Sequence, residues 1–179
     1  MIETRKIHPF EIPAIVNTYS SVLEIGCGTG QFLQATSCPV KVCIEGCVDL
    51  VHANLENFNR SNIKVYTMDI LDMDKKFVIG TFDCVMAIDI IEHFEMEDAL
   101  HVLKMCEEVA KHAVLCFIPV GNHPQNHDPR GYDNPLNDHK STWYPENMEA
   151  LGYTVFFDPD FHHEPGKDSG AMLAYKFLK

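Results

Sequence analysis

The chain has 179 residues, 46% of them apolar and 22% charged. That suffices for one domain with its own core and excludes a disordered, collagen-like or coiled-coil chain. The formal charge is −12, from 14 Lys and Arg against 26 Asp and Glu. A surface this acidic repels phosphate backbones and anionic lipid, so it argues against nucleic-acid and membrane partners. No apolar run approaches the roughly 18–20 residues of a membrane span. The opening MIETRKIHPFEIP lacks the apolar stretch of a signal peptide, so the cytoplasm is the expected compartment.

The elements alternate along the chain. A short helix is predicted around 10–19, then a strand over 21–25, a glycine-rich turn and a helix over about 30–35. Strands follow at 40–44, 63–67, 82–88 and 113–118, with helices over 48–58 and 95–110 between them. The 95–110 helix sets Leu100, Leu103 and Val109 against Glu97, Asp98, Lys104, Glu107 and Glu108. The 113–118 strand is apolar throughout, as in a strand covered on both faces. This alternation predicts an α/β fold, a mostly parallel sheet with helices on both sides, as a single domain over 1–179.

Residues 119–145 break the rhythm with five of the ten prolines, and a loop of that length in a compact domain points to function. A short helix at 146–151, strands at 153–157 and 171–178, and a loop over 158–166 complete the chain. Late strands lying exposed would be compatible with a homodimer. The seven cysteines form no C-x-x-C pair and sit in mostly apolar company, so they read as reduced, buried thiols.

The sharpest motif is Val22-Leu23-Glu24-Ile25-Gly26-Cys27-Gly28-Thr29-Gly30, a strand running into three alternating glycines and then a helix. Glycines let the backbone turn sharply and let a flat or anionic ligand approach the main chain, at the strand end where open α/β sheets bind ligands. The spacing is neither the dinucleotide G-x-G-x-x-G nor a P-loop.

With this motif the sequence resembles the class I S-adenosylmethionine (SAM)-dependent methyltransferases, and the likeness continues in order over residues 20–120. Glu45, followed by Gly46, stands where that family places the carboxylate for the ribose hydroxyls; a carboxylate is a fork of acceptors suited to a vicinal diol. Asp69-Ile70 stands where the adenine amino group is received, and Asp89-Ile90-Ile91-Glu92-His93 where the methionine end and the acceptor meet. The resemblance implies a Rossmann-like, three-layer fold with seven strands and a reversed last strand, SAM as cofactor, and Glu24, Gly26, Cys27, Gly28, Gly30, Glu45, Gly46, Asp69, Ile70 and Asp89 as cofactor-binding residues.

The loop from Pro119-Val120-Gly121 to His139-Lys140-Ser141-Thr142-Trp143 looks like the acceptor loop of small bacterial and archaeal methyltransferases. A competing resemblance is to the small-RNA 3′-end 2′-O-methyltransferases, which carry Glu-x-x-Glu-His and a distant His and bind a divalent cation. Here Asp89, Glu92, His93 and His139 make a plausible metal set. Asp89 departs from that pattern by one methylene and the net charge opposes RNA, so no metal ligand is assigned and Glu92 is read as supporting the next helix. Other histidines, His123, His127, His162 and His163, read as loop residues; adjacent His162 and His163 would point to opposite faces.

The expected function is methyl transfer from SAM to a small-molecule acceptor. His93 is the first candidate for a general base, because imidazole titrates near neutrality, and His139 the second. The alternatives are a metal-assisted RNA 2′-O-methyltransferase-like enzyme, a non-catalytic SAM-binding module and a nicotinamide-dependent oxidoreductase; the glycine spacing and Asp69 argue against the last.

Overall fold

A computed structural model describes residues 1–125, 134–162 and 170–179. In chain order the elements are β1 (Ile2–Thr4), α1 (Glu11–Val16), β2 (Ser21–Ile25), α2 (Gln31–Gln34), β3 (Val40–Glu45), α3 (Val48–Arg60) and β4 (Ile63–Thr67). Then come α4 (Met73–Lys76), β5 (Phe82–Ile88), α5 (Met96–Val109), β6 (Ala110–Val120), α6 (Pro145–Ala150), β7 (Thr154–Asp158) and β8 (Gly170–Phe177). Short 3-10 turns lie at Ile70–Asp72, Ile91–His93 and Pro135–Asn137.

The strands form one sheet in the order β1-β7-β8-β6-β5-β2-β3-β4. All neighbours are parallel except the two pairs made by β8, which is therefore the reversed strand. The count is eight, not seven. The additional strand, β1, is three residues long and aligns Ile2 with Val155 of β7; Ile-Glu-Thr carries too little alternation to announce itself. The late strands β7 and β8 lie inside the sheet rather than exposed at its edges, which are β1 and β4.

Successive strand residues enter opposite layers, as the pleat requires. Leu23, Val85, Ala87, Val114 and Cys116 join one core with residues of α4, α5 and α6. Val22, Cys84, Met86, Ala113 and Leu115 join the other with Ile12, Phe32, Leu33 and Phe58 of α1, α2 and α3. Alternation between two apolar layers explains the continuous apolar runs in β5 and β6. All seven cysteines are buried free thiols.

Because β2, β3, β4, β5 and β6 run parallel, their C-terminal ends fall on one edge of the sheet. The loop after β6 is closed at its base, where Gly121 N–H donates to Trp143 O at 2.9 Å. His127, Gly131 and His163 lie outside the described residues. Among the described residues, no helix is long and apolar enough to cross a membrane.

Candidate functional site

A cavity of about 630 Å³ opens along this edge of the sheet. Every residue anticipated for the site lines it except Gly30. Gly30 caps α2 with φ +74°, and a Cβ there would come 2.5 Å from Phe58 Cε1, so it supports the turn from behind. Gly26 also has positive φ, +64°, and a Cβ there would overlap the Ile90 side chain. Only glycine fits the loop at this point, for backbone and for space.

The amides of the glycine loop are engaged inside the protein. Gly26 and Cys27 N–H both donate to Ile44 O, at 2.9 and 3.3 Å, and Gly30 N–H to Cys27 O at 2.8 Å. Gly28 N–H donates to Glu45 Oε2 at 2.8 Å. Four of the five motif amides are thus unavailable to an anion, and α2 is a single turn with little dipole. The loop offers shape and backbone carbonyls to a ligand rather than a phosphate nest. A hydrogen bond between the Cys27 and Cys43 thiols, together with burial, pushes the Cys27 pKa well above the ordinary range.

Carboxylates dominate the half of the cavity beside the glycine loop. Glu45 is buried at the end of β3, with Oε1 accepting Cys47 N–H at 2.9 Å and Oε2 accepting Gly28 N–H; each oxygen keeps a lone pair. Asp69 caps the 3-10 turn after β4, one oxygen accepting Leu71 N–H at 2.9 Å. Asp89 takes φ +48° at the end of β5, a conformation Asp tolerates better than most side chains. Glu24 is enclosed in β2, where burial and then the charge of Glu45 push its pKa up to about 8.

The other half is built by the turn after β5 and the loop after β6. Lys140 and Ser141 N–H both donate to Glu92 O, at 2.8 and 3.0 Å, and Ser141 Oγ reaches Ile91 O at 3.4 Å. These bonds bring His139 over His93, with ring centroids 4.8 Å apart and planes at 71°. Within hydrogen-bonding reach of His93 Nδ1, at 3.3 Å, lies Asp138 O; a carbonyl only accepts, so Nδ1 carries the proton and Nε2 keeps its lone pair. Burial lowers the pKa of His93, and burial followed by the neighbouring His93 lowers that of His139 to about 4. Both imidazoles are therefore neutral at pH 7.

Glu92 is 2% exposed, and among the described residues neither carboxylate oxygen makes a well-formed hydrogen bond, the backbone N–H groups of Glu92 and Ile90 acting on it only weakly. The Nε2 atoms of His93 and His139 each lie 4.0 Å from Glu92 Oε1. Burial first, and the charge of Asp89 second, hold its pKa well above the usual carboxylate range. Of the quartet considered from sequence, Glu92, His93 and His139 place one ligand atom each within 4.8 Å of the others, and Asp89 is not part of that group.

Several lining residues had no sequence signal. His123 and His162 meet with centroids 4.8 Å apart in the cavity wall, from loops far apart in the chain. Leu136 also lines the cavity. Trp143 is buried and stands outside the lining, so it anchors the loop; its Nε1–H donates to Ser141 Oγ at 2.9 Å.

The comparisons with known proteins follow this geometry. A search of curated proteins returned no match. Among solved structures, a SAM-dependent methyltransferase from Archaeoglobus fulgidus is similar at 19% identity over 93% of both chains, TM-score 0.62. The methyltransferase domain of bacterial CtHen1-CN is similar at 16% identity, covering 94% of this chain and 96% of that one, TM-score 0.61. Magnesium protoporphyrin IX methyltransferase (ChlM) from Synechocystis PCC 6803, with bound SAH, is similar at 12% identity over 94% of this chain and 81% of that one, TM-score 0.59. At these identities the likeness is one of fold. A family model described as "Methyltransferase domain" matches residues 22–113, just over half of the chain and the part that holds the glycine loop, Glu45, Asp69 and His93, and the chain belongs to that family.

Proposed function

We propose that the chain is a SAM-dependent methyltransferase acting on a small-molecule acceptor held above Glu92, His93 and His139. The observation that carries this reading is the glycine loop, whose amides are engaged internally while Glu45, Asp69 and Asp89 line the cavity beside it. That surface repels a pyrophosphate and suits a cation, which favours a sulfonium over a nicotinamide dinucleotide. The residues fit the group in detail: Glu45 keeps one lone pair per oxygen for a ribose diol, and Asp69 keeps an oxygen for an amino group.

When bound, S-adenosylmethionine supplies a methyl group on positively charged sulfur, open to in-line displacement. Glu45 and Asp69 hold the adenosine end and so fix the direction of approach, an alignment worth up to about 7–11 kcal/mol. The acceptor enters from the side of the 119–145 loop. His93 through Nε2, or His139 through its unprotonated ring nitrogen, both neutral at pH 7, would take a proton from an acceptor hydroxyl as it attacks.

Calorimetric titration with SAM and S-adenosylhomocysteine tests the cofactor, with Glu45→Ala and Asp69→Ala as controls. Micromolar binding, lost in both variants, is the expected result. A well-folded wild type that binds neither compound would overturn the reading in favour of another ligand.

A second reading adds a divalent cation, because Glu92 is enclosed with two unpartnered oxygens facing two imidazoles. A separation of 4.0 Å is too long for a hydrogen bond. Tetrahedral donors about 2.0–2.2 Å from an ion would stand about 3.4 Å apart, so these side chains would close in slightly around one. Two imidazoles and one carboxylate favour Mn²⁺, Co²⁺ or Zn²⁺ over Mg²⁺. Such an ion would hold the acceptor oxygen and ease its deprotonation. It does not bring RNA with it, since the charge of −12 opposes a polyanion. Mn²⁺ should raise the melting temperature of the wild type and leave that of Glu92→Gln unchanged; no rise in the wild type removes the ion from the mechanism.

A further inference from the structure

Among the described residues, Gly46 is the one glycine of the cavity wall whose backbone does not ask for glycine. Its φ lies outside the left-handed region that Gly26, Gly28 and Gly30 occupy. Space decides this position instead. A Cβ on Gly46 would lie 2.8 Å from Leu136 Cδ1, closer than side chains pack. The side chain that residue 46 lacks is therefore replaced, in place, by one from the loop after β6.

Leu136 is held there by its own turn. Its N–H donates to Asn134 Oδ1 at 3.2 Å, Asn137 N–H donates to Asn134 O at 3.1 Å, and Gln125 Nε2–H donates to Asn137 O at 3.0 Å. The side chain nevertheless remains 54% exposed and lines the cavity. Ile70, beside Asp69, supplies a second apolar side chain to the same end. A half-exposed leucine lodged against a glycine and opening onto a cavity presents an apolar face to whatever the cavity holds.

We propose that Leu136 belongs to the cofactor site and covers the adenosine end from the acceptor loop, in place of a side chain at Gly46. This rests on the SAM reading above. A purine is a flat apolar surface with polar edges, so carboxylates such as Asp69 serve its edge while Leu136 and Ile70 serve its faces. Burial of the exposed part of Leu136 then adds to cofactor affinity. The same contact ties cofactor occupancy to the acceptor side. Leu136 stands two residues before Asp138, whose carbonyl sets the His93 tautomer, and three before His139.

The test measures dissociation constants by calorimetry for S-adenosylhomocysteine and for 5′-methylthioadenosine, which lacks the amino-acid end. Leu136→Ala should weaken both by a similar factor, about tenfold. Leu136→Met, which keeps an apolar face, should stay within about twofold. Gly46→Ala should also weaken binding, by displacing Leu136. In the double variant the collision is gone, so the loss should be smaller than the product of the two single losses. Circular dichroism of each variant checks folding. Unchanged binding in Leu136→Ala, or a loss seen with S-adenosylhomocysteine but absent with 5′-methylthioadenosine, overturns the role of Leu136 and leaves the SAM reading standing. A wild type that binds neither compound overturns both.

Discussion

His93 and His139 meet edge to face, ring centroids 4.8 Å apart, and each Nε2 stands 4.0 Å from the Glu92 carboxylate. One imidazole comes from the turn after β5 and the other from the loop after β6. What joins them is the Glu92 carbonyl, which accepts the N–H groups of both Lys140 and Ser141. The backbone of Glu92 thus places the loop, while its buried carboxylate beneath finds no hydrogen-bond partner among the described residues, an arrangement that costs stability.

Replacing Glu92 with an apolar side chain should therefore stabilise the metal-free protein. Glu92→Met is expected to raise unfolding free energy in urea by about 1–3 kcal/mol, the cost of an unmet buried carboxyl. If the cation reading holds, methyl transfer should be lost in the same variant. A drop in stability would mean that the carboxyl finds a partner in solution.

Gly26→Ala should be destabilising for two separable reasons. The left-handed backbone costs about 1–2 kcal/mol with a Cβ, and the overlap with Ile90 adds about 1–3 kcal/mol. Urea denaturation of Gly26→Ala, Ile90→Ala and the double variant separates them. The double variant should be less destabilised than the sum of the singles, because the overlap is counted once and then removed.

Glu24 predicts the pH dependence of stability. Its pKa is about 8 in the folded protein, against an ordinary value of 4.5. Between these values the native state holds a proton that the unfolded chain releases. Its contribution is full below 4.5 and falls as pH rises toward 8, by up to about 1.4 kcal/mol per unit. Glu24→Gln has no such titration. Urea midpoints from pH 5 to 8 should show the variant gaining on the wild type; parallel curves would mean that Glu24 is ionised throughout.

Trp143 is the single tryptophan and reports on the acceptor loop. Ser141→Ala removes the acceptor of its indole N–H and one tether to Ile91, at a cost of about 1 kcal/mol. The emission maximum should shift. Turnover should fall with little change in S-adenosylhomocysteine affinity, since Ser141 lies on the acceptor side.

Local pattern was enough for the strands from β2 to β6 and for the residues at their ends. Alternating strands and helices force a parallel sheet, and parallel strands put Glu24, Gly26, Glu45, Asp69 and Asp89 on one edge without further information. The short β1 escaped because three residues carry no period, and its pairing with β7 is made at long range.

What the tertiary structure alone decided is the use of each group. The family resemblance named Asp89, Glu92, His93 and His139 together, but only the folded chain brings the last three within reach of one another, helped by two backbone hydrogen bonds to Glu92 O. The replacement of a side chain at Gly46 by Leu136, and the meeting of His123 with His162, had no trace in the sequence. Propensity and periodicity act between near neighbours, whereas a cavity wall is set by where distant loops come to rest on the sheet, and that is decided by packing and hydrogen bonding between residues the chain order keeps apart.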